Sequence, residues 1–130
     1  MNGATRIAVI GGGSWATANI KMLLDNTSDK EIFWWMRNEA SIEHLKKYKH
    51  NPNYLSSVEI RLPEGNICND IVHVISSAEM ILLNIPAAFL KEALNGVTAE
   101  LLRGKKIISA IKGIVPEDNM IIAEFMHKTY

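Results

Sequence analysis

Ile7-Ala8-Val9-Ile10-Gly11-Gly12-Gly13-Ser14-Trp15-Ala16 is the stretch that decides the fold. A short, mostly β-branched run at residues 6–10 enters three glycines, which is the pattern of a buried strand ending in a tight turn. Directly behind it, residues 14–24 bring Ala16, Ile20, Leu23 and Leu24 near one face, as a helix would. Gly11, Gly13 and Ala16 fill the three small positions of G-x-G-x-x-A. The first allows the tight turn, the second lets backbone approach a pyrophosphate, and the third keeps the helix close to the sheet. Free N–H groups at the helix start, with the helix dipole behind them, favour a negative phosphate. A glycine turn that follows a strand and opens a helix is expected to bind a dinucleotide. Gly11, Gly12, Gly13, Ser14, Trp15 and Ala16 are therefore candidate cofactor-binding residues.

Outward from this turn, short apolar runs alternate with helical patterns. Residues 31–36 read as a second strand, and 40–49 as a mostly exposed helix carrying Ile42 and Leu45. Residues 51–66 form a longer connection with at most a short strand near 59–62. Residues 67–69 read as a weak third strand. Asp70 is a candidate N-cap for a helix over 71–77. Residues 80–85 are a buried strand, apolar except for Asn84. Pro86 then opens a helix over 87–95, at the first helical position that proline tolerates. Residues 99–103 give a helical turn, 106–110 another buried strand, 111–113 a loop, and 116–128 a helix striped by Ile121, Ile122, Phe125 and Met126. Strands alternating with helices imply right-handed crossovers and a parallel sheet. The expected fold is α/β: a Rossmann-like doubly wound parallel sheet with helices on both faces. Residues 1–130 form one dinucleotide-binding domain, with ligands beyond the carboxyl ends of the strands.

Composition narrows the function. The 130 residues are 48% hydrophobic and carry 14 Lys plus Arg against 14 Asp plus Glu, so the formal net charge is zero. A broad nucleic-acid footprint needs a clustered basic excess, so no nucleic-acid partner is expected. One cysteine, Cys68, permits no internal disulfide and reads as a small packing residue. The sequence shows no signal peptide, and no apolar run approaches the roughly 18 residues that span a bilayer. A cytoplasmic, soluble protein with no membrane partner is expected. The four histidines show no metal-ligand spacing, so no metal is expected.

Two more residues stand just after predicted strands. In a dinucleotide site the end of the second strand faces the adenosine ribose. An acid there favours NAD, and an arginine accommodates a 2′-phosphate. Here the strand runs out through Trp34-Trp35-Met36-Arg37-Asn38, and the first acid is Glu39. Arg37 is the candidate, since a guanidinium can fork onto phosphate and stack on adenine. Trp34 and Trp35 point to opposite faces, so at least one belongs to the core. Lys112 follows the strand at 106–110, with Gly113 beside it. An ammonium there can polarise a carbonyl or hold a substrate oxygen; the pattern alone fits a solvated loop lysine equally well.

Taken as a set, the motifs resemble the bacterial type of NAD(P)-dependent glycerol-3-phosphate dehydrogenase. The set comprises Gly11-Gly12-Gly13-Ser14-Trp15-Ala16-Thr17-Ala18, Trp35-Met36-Arg37, Asn51-Pro52-Asn53-Tyr54-Leu55, Leu62-Pro63, Ile85-Pro86 and Ala110-Ile111-Lys112-Gly113-Ile114. The glycine turn is common to many dehydrogenases, whereas the Ser-Trp after it, the Asn-Tyr-Leu segment and the Lys-Gly-Ile loop are specific as a set. The resemblance implies hydride transfer between dihydroxyacetone phosphate and sn-glycerol 3-phosphate, feeding phospholipid synthesis, with NADP or NAD as cofactor. It implies that Ser14, Trp15 and Arg37 contact the cofactor and that Ile85-Pro86 lines the nicotinamide side. It places Lys112 beside nicotinamide and substrate as the catalytic, cofactor- and substrate-binding residue. In the full-length family it implies a homodimer and a C-terminal helical domain that supplies another catalytic lysine and most of the substrate phosphate site, a domain expected to be absent here. Asn84 departs from the family's small apolar residue. Two other readings stand beside this one: a reductase of the β-hydroxyacid, pyrroline-5-carboxylate or ketopantoate type, and a nucleotide-binding module without catalysis.

Overall fold

The computed structural model of the chain describes residues 5–28, 31–53, 57–109, 114–115, 120–121 and 126. Five strands, β1 (Ile7–Ile10), β2 (Ile32–Trp35), β3 (Ile67–Cys68), β4 (Met80–Leu83) and β5 (Lys106–Ser109), form one sheet in the order β3-β2-β1-β4-β5. Every pairing in it is parallel, with Ile7 facing Ile32 on one side and Met80 on the other. The chain builds leftward from β1 through β2 to β3, then returns to the far side of β1 as β4. The crevice beyond the ends of β1 and β4 is thus the switch point at which such sheets bind ligands.

Side-chain alternation along the strands makes two cores. Val9, Ile32 and Trp34 point to one face and pack with Ala16 and Ile20 of α1 (Ser14–Asn26) and Ile42 and Leu45 of α2 (Glu39–Tyr48). Ala8, Ile10, Ile81 and Leu83 point to the other. They pack with α3 (Ile71–Ser76), α4 (Leu90–Ala93) and α5 (Ala99–Leu102). Helices therefore cover both faces, as the doubly wound reading requires. Both tryptophans of β2 are buried, one in each core. Local chemistry sets the helix starts: the side chains of Asn38, Asp70 and Thr98 accept backbone N–H groups from Ser41, His73 and Leu101, satisfying donors the first turn leaves over.

Four expectations differ from what the chain adopts. Residues 59–62 form no strand; Ile60 is buried and its N–H bonds to the Lys49 carbonyl at 2.7 Å, closing a loop instead. Behind Pro86 the helix begins as a 3-10 turn, Ala87–Phe89, before the single α-helical turn of α4. The strand at 106–110 is formed as β5, yet all four of its residues are exposed, with Ile108 at 46%. Among the described strands β5 lies at the edge of the sheet, and an apolar run reads alike at an edge and at a centre. In the stretch expected to be a helix over 116–128, Met120–Ile121 is a strand, β7, paired antiparallel with β6 (Ile114–Val115). Helical spacing there marked residues that need burial, and Met126 is indeed buried in the second core; the spacing did not fix the backbone conformation of its first residues. Among the described residues no helix is long and apolar enough to cross a membrane.

Candidate nucleotide-binding site

The glycine turn connects β1 to α1 at the switch point. Gly11 has φ +136°, a region that residues with a side chain rarely adopt. A Cβ there would lie 2.3 Å from the Asn84 carbonyl oxygen, so this position admits only glycine. Its N–H donates to the Trp35 carbonyl at 2.9 Å, and its carbonyl accepts the Trp34 indole N–H. The turn is thus clamped to β2 at its first residue. A Cβ at Gly12 would meet Met36 Cε at 3.1 Å, whereas one at Gly13 would meet nothing within 4 Å. The open space at Gly13 is where a phosphate can approach the backbone. Ala16 is fully buried, which brings α1 down onto the sheet.

Gly13 is also the N-cap of α1. Its helix start receives no side-chain hydrogen bond and has no acid in its first turn. The 13-residue helix therefore presents N–H donors and a positive dipole end without a competing side chain. These features fit a pyrophosphate.

A cleft of about 400 Å³ opens beside the turn, lined by Gly12, Gly13, Arg37, Pro86, Phe89 and Glu92 among others. Arg37 leaves the end of β2 exposed, with its guanidinium carbon 5.4 Å from the centre of the Phe89 ring. That distance is within the range of a cation–π contact. The pair forms a flat, charged wall suited to a purine and an adjoining phosphate. Glu92, on α4, also lines the cleft.

The structure therefore brings Gly12, Gly13, Arg37 and Pro86 to one cleft. Gly11 and Ala16 lie beneath it as buried supports. Ser14 and Trp15 begin α1 but do not line it; Trp15 is 78% exposed. Lys112 and its neighbours Ala110, Ile111 and Gly113 fall outside the described residues. Phe89 was not anticipated; its only sequence signal is an exposed aromatic three residues past Pro86. Asn84 acquires a role: its Oδ1 accepts from Asn19 Nδ2 of α1 at 3.0 Å, tying that helix to the end of β4. Its own Nδ2 is buried and has no partner among the described residues. Among the described residues, no group of three or more His, Cys, Asp and Glu could hold a metal ion.

The family profile for the NAD-dependent glycerol-3-phosphate dehydrogenase N-terminus matches residues 6–130. The chain belongs to that family. A glycerol-3-phosphate dehydrogenase [NAD(P)+] of Pseudomonas putida is 33% identical over 123 residues, covering 94% of this chain and 35% of the relative. The chain thus spans about a third of the length of the curated relatives it matches. Among solved structures, a Plasmodium falciparum glycerol-3-phosphate dehydrogenase superposes with TM-score 0.78 at 24% identity, covering 98% of this chain and 38% of that one. One from Coxiella burnetii superposes at 0.77 and 21% identity, over 96% and 37%. At these identities the two superpositions speak for the fold, and the family rests on the profile.

Proposed function

We propose that this chain is the dinucleotide-binding part of an NAD(P)-dependent glycerol-3-phosphate dehydrogenase, which transfers hydride between dihydroxyacetone phosphate and sn-glycerol 3-phosphate. The observation that carries this reading is the uncapped start of α1 behind Gly13, open to the cleft that Arg37 and Phe89 wall. In it, Gly12 and Gly13 admit the pyrophosphate, and the N–H groups at the start of α1 hold it. Ser14 and Trp15 extend that contact along the helix start. Arg37 meets the adenosine end, and Pro86 lines the path toward the nicotinamide. Lys112 serves substrate and cofactor together. The product feeds phospholipid synthesis in the cytoplasm, and the whole enzyme works as a homodimer. The groups that hold the substrate's phosphate come from the remainder of a protein of the relatives' length.

The test is titration calorimetry of this chain with NADPH and NADH. Micromolar or tighter binding of at least one is expected, and a folded chain that binds neither would overturn the reading. Cofactor preference follows from Arg37. With no acid at the end of β2, NADPH is expected to bind at least as tightly as NADH. Arg37→Ala should weaken NADPH by roughly 1.5–3 kcal/mol, the cost of losing a hydrogen bond to a charged group. NADH should lose less, since only the stacking contact goes. Equal losses for the two cofactors would show that Arg37 does not meet the 2′-phosphate.

A further inference from the structure

Asn51 lies in the connection that leaves α2, and it is 1% exposed. Its Nδ2 donates to the Gly12 carbonyl at 3.1 Å and to Thr17 Oγ1 at 3.0 Å. Thr17 Oγ1 passes the contact on, donating to the Gly13 carbonyl at 2.7 Å. On its other side, Asn51 Oδ1 accepts the N–H of Asn53, a residue of the cleft wall, at 2.9 Å. One buried amide thus reaches two consecutive carbonyls of the glycine turn, the first directly and the second through Thr17.

We infer that Asn51 is a positioning residue for the phosphate-binding turn, fixing the Gly12 and Gly13 peptide planes so that their N–H sides stay aimed at bound phosphate. The inference rests on the dinucleotide reading above. Its physics is that of the planar peptide: the Gly12 carbonyl and the Gly13 N–H share one rigid plane and point in opposite directions. A hydrogen bond that holds the carbonyl toward buried Asn51 therefore holds the N–H away from it. The Gly13 carbonyl and the Ser14 N–H are related in the same way. Restraint is needed here because glycines lack the side chain that limits rotation of neighbouring planes. The Gly13 carbonyl is also held by the Thr17 N–H at 3.0 Å. Losing Asn51 should thus tell most at Gly12. The loop that carries Asn51 is itself pinned by the bond from Ile60 N–H to the Lys49 carbonyl, so the amide is presented from a closed frame.

The experiment compares two probes on the intact chain by calorimetry. NADPH contains the pyrophosphate; adenosine 2′-monophosphate carries the adenosine end and the 2′-phosphate with no 5′-phosphate to meet the turn. Asn51→Ala should weaken NADPH about tenfold, as for one lost hydrogen bond to a preorganised site, and leave adenosine 2′-monophosphate within about twofold. Thr17→Val removes only the relay to Gly13 and should weaken NADPH about threefold, with the same selectivity. A merely structural role would not separate the probes, so equal losses for both, or no loss for either, would overturn the inference. Should Asn51→Ala fail to fold by circular dichroism, Thr17→Val decides on the same criterion. Wild-type protein that is folded and binds neither NADPH nor NADH would instead remove the dinucleotide reading, and this inference with it.

Discussion

Gly11→Ala is expected to unfold the turn as well as abolish cofactor binding, whereas Gly13→Val should abolish binding and leave the fold intact. The two positions lie two residues apart in one motif, and the structure assigns them different burdens. At Gly11 a methyl group would stand 2.3 Å from the Asn84 carbonyl oxygen and 2.8 Å from its carbon, both backbone atoms just past the end of β4. Backbone cannot swing aside as a flexible side chain can. The φ of +136° adds conformational strain for any residue with a Cβ. Strain of this kind costs about 1–3 kcal/mol, and forced overpacking about as much again. The sum, roughly 2–6 kcal/mol, is a large part of the stability of a domain this size. A fall in Tm of roughly 10–20 °C follows. Gly13 has φ −84°, and a Cβ there meets nothing within 4 Å. Its valine should melt within a few degrees of wild type while occupying the space the pyrophosphate needs. Thermal melts by circular dichroism and NADPH titrations on both variants check the pair. A Gly11→Ala protein as stable as wild type would refute the clash, and a Gly13→Val protein binding at wild-type strength would move the phosphate off this turn.

The same two glycines show why some of the candidate site is legible in the sequence and some is not. Spacing placed Gly11, Gly13 and Ala16 because each answers a local demand: a turn, an approach, a close helix. Arg37 was legible for the same reason, since strand ends and ligand crevices coincide in this fold. Asn51 and Phe89 answer demands made by residues far off in the chain. Asn51 is 39 residues from the carbonyl it holds. Composition and periodicity carry no term for such a contact; only the packed connection brings it about. The exposure of β5 has a similar origin. Ile107 and Ile108 read as core because they are apolar, but burial depends on what lies beside a strand, and among the described strands only β4 does. Asn84 was an anomaly as a lone polar residue in an apolar run; beside Asn19 it is half of a hydrogen-bonded pair.

Lys112→Ala, made in a protein extended to the relatives' length, should lower turnover of dihydroxyacetone phosphate by at least about a hundredfold while leaving NADPH affinity within a few-fold of wild type. The expectation rests on the proposed function, because Lys112 lies outside the described residues and its role is only what the resemblance of Ala110-Ile111-Lys112-Gly113-Ile114 implies. Bound reduced nicotinamide would supply the hydride. On that reading the protein's part would be to hold the ketone and to stabilise the negative charge that develops on its oxygen. The ammonium that the resemblance assigns to Lys112 would do the second. The first needs a grip on the substrate's phosphate, which we assign to the remainder of the longer protein. Residues 1–130 alone should therefore bind dinucleotide yet show no measurable ketone reduction, since positioning by itself accounts for about 7–11 kcal/mol of barrier lowering. Lys112→Arg should rescue little: it keeps the charge but replaces a compact ammonium with a planar fork of different reach. NADPH oxidation followed by absorbance for the short chain, the extended protein and its two variants checks each step. Robust turnover by the short chain would show that the substrate's grip lies within these 130 residues, and full activity of Lys112→Ala would remove Lys112 from the chemistry.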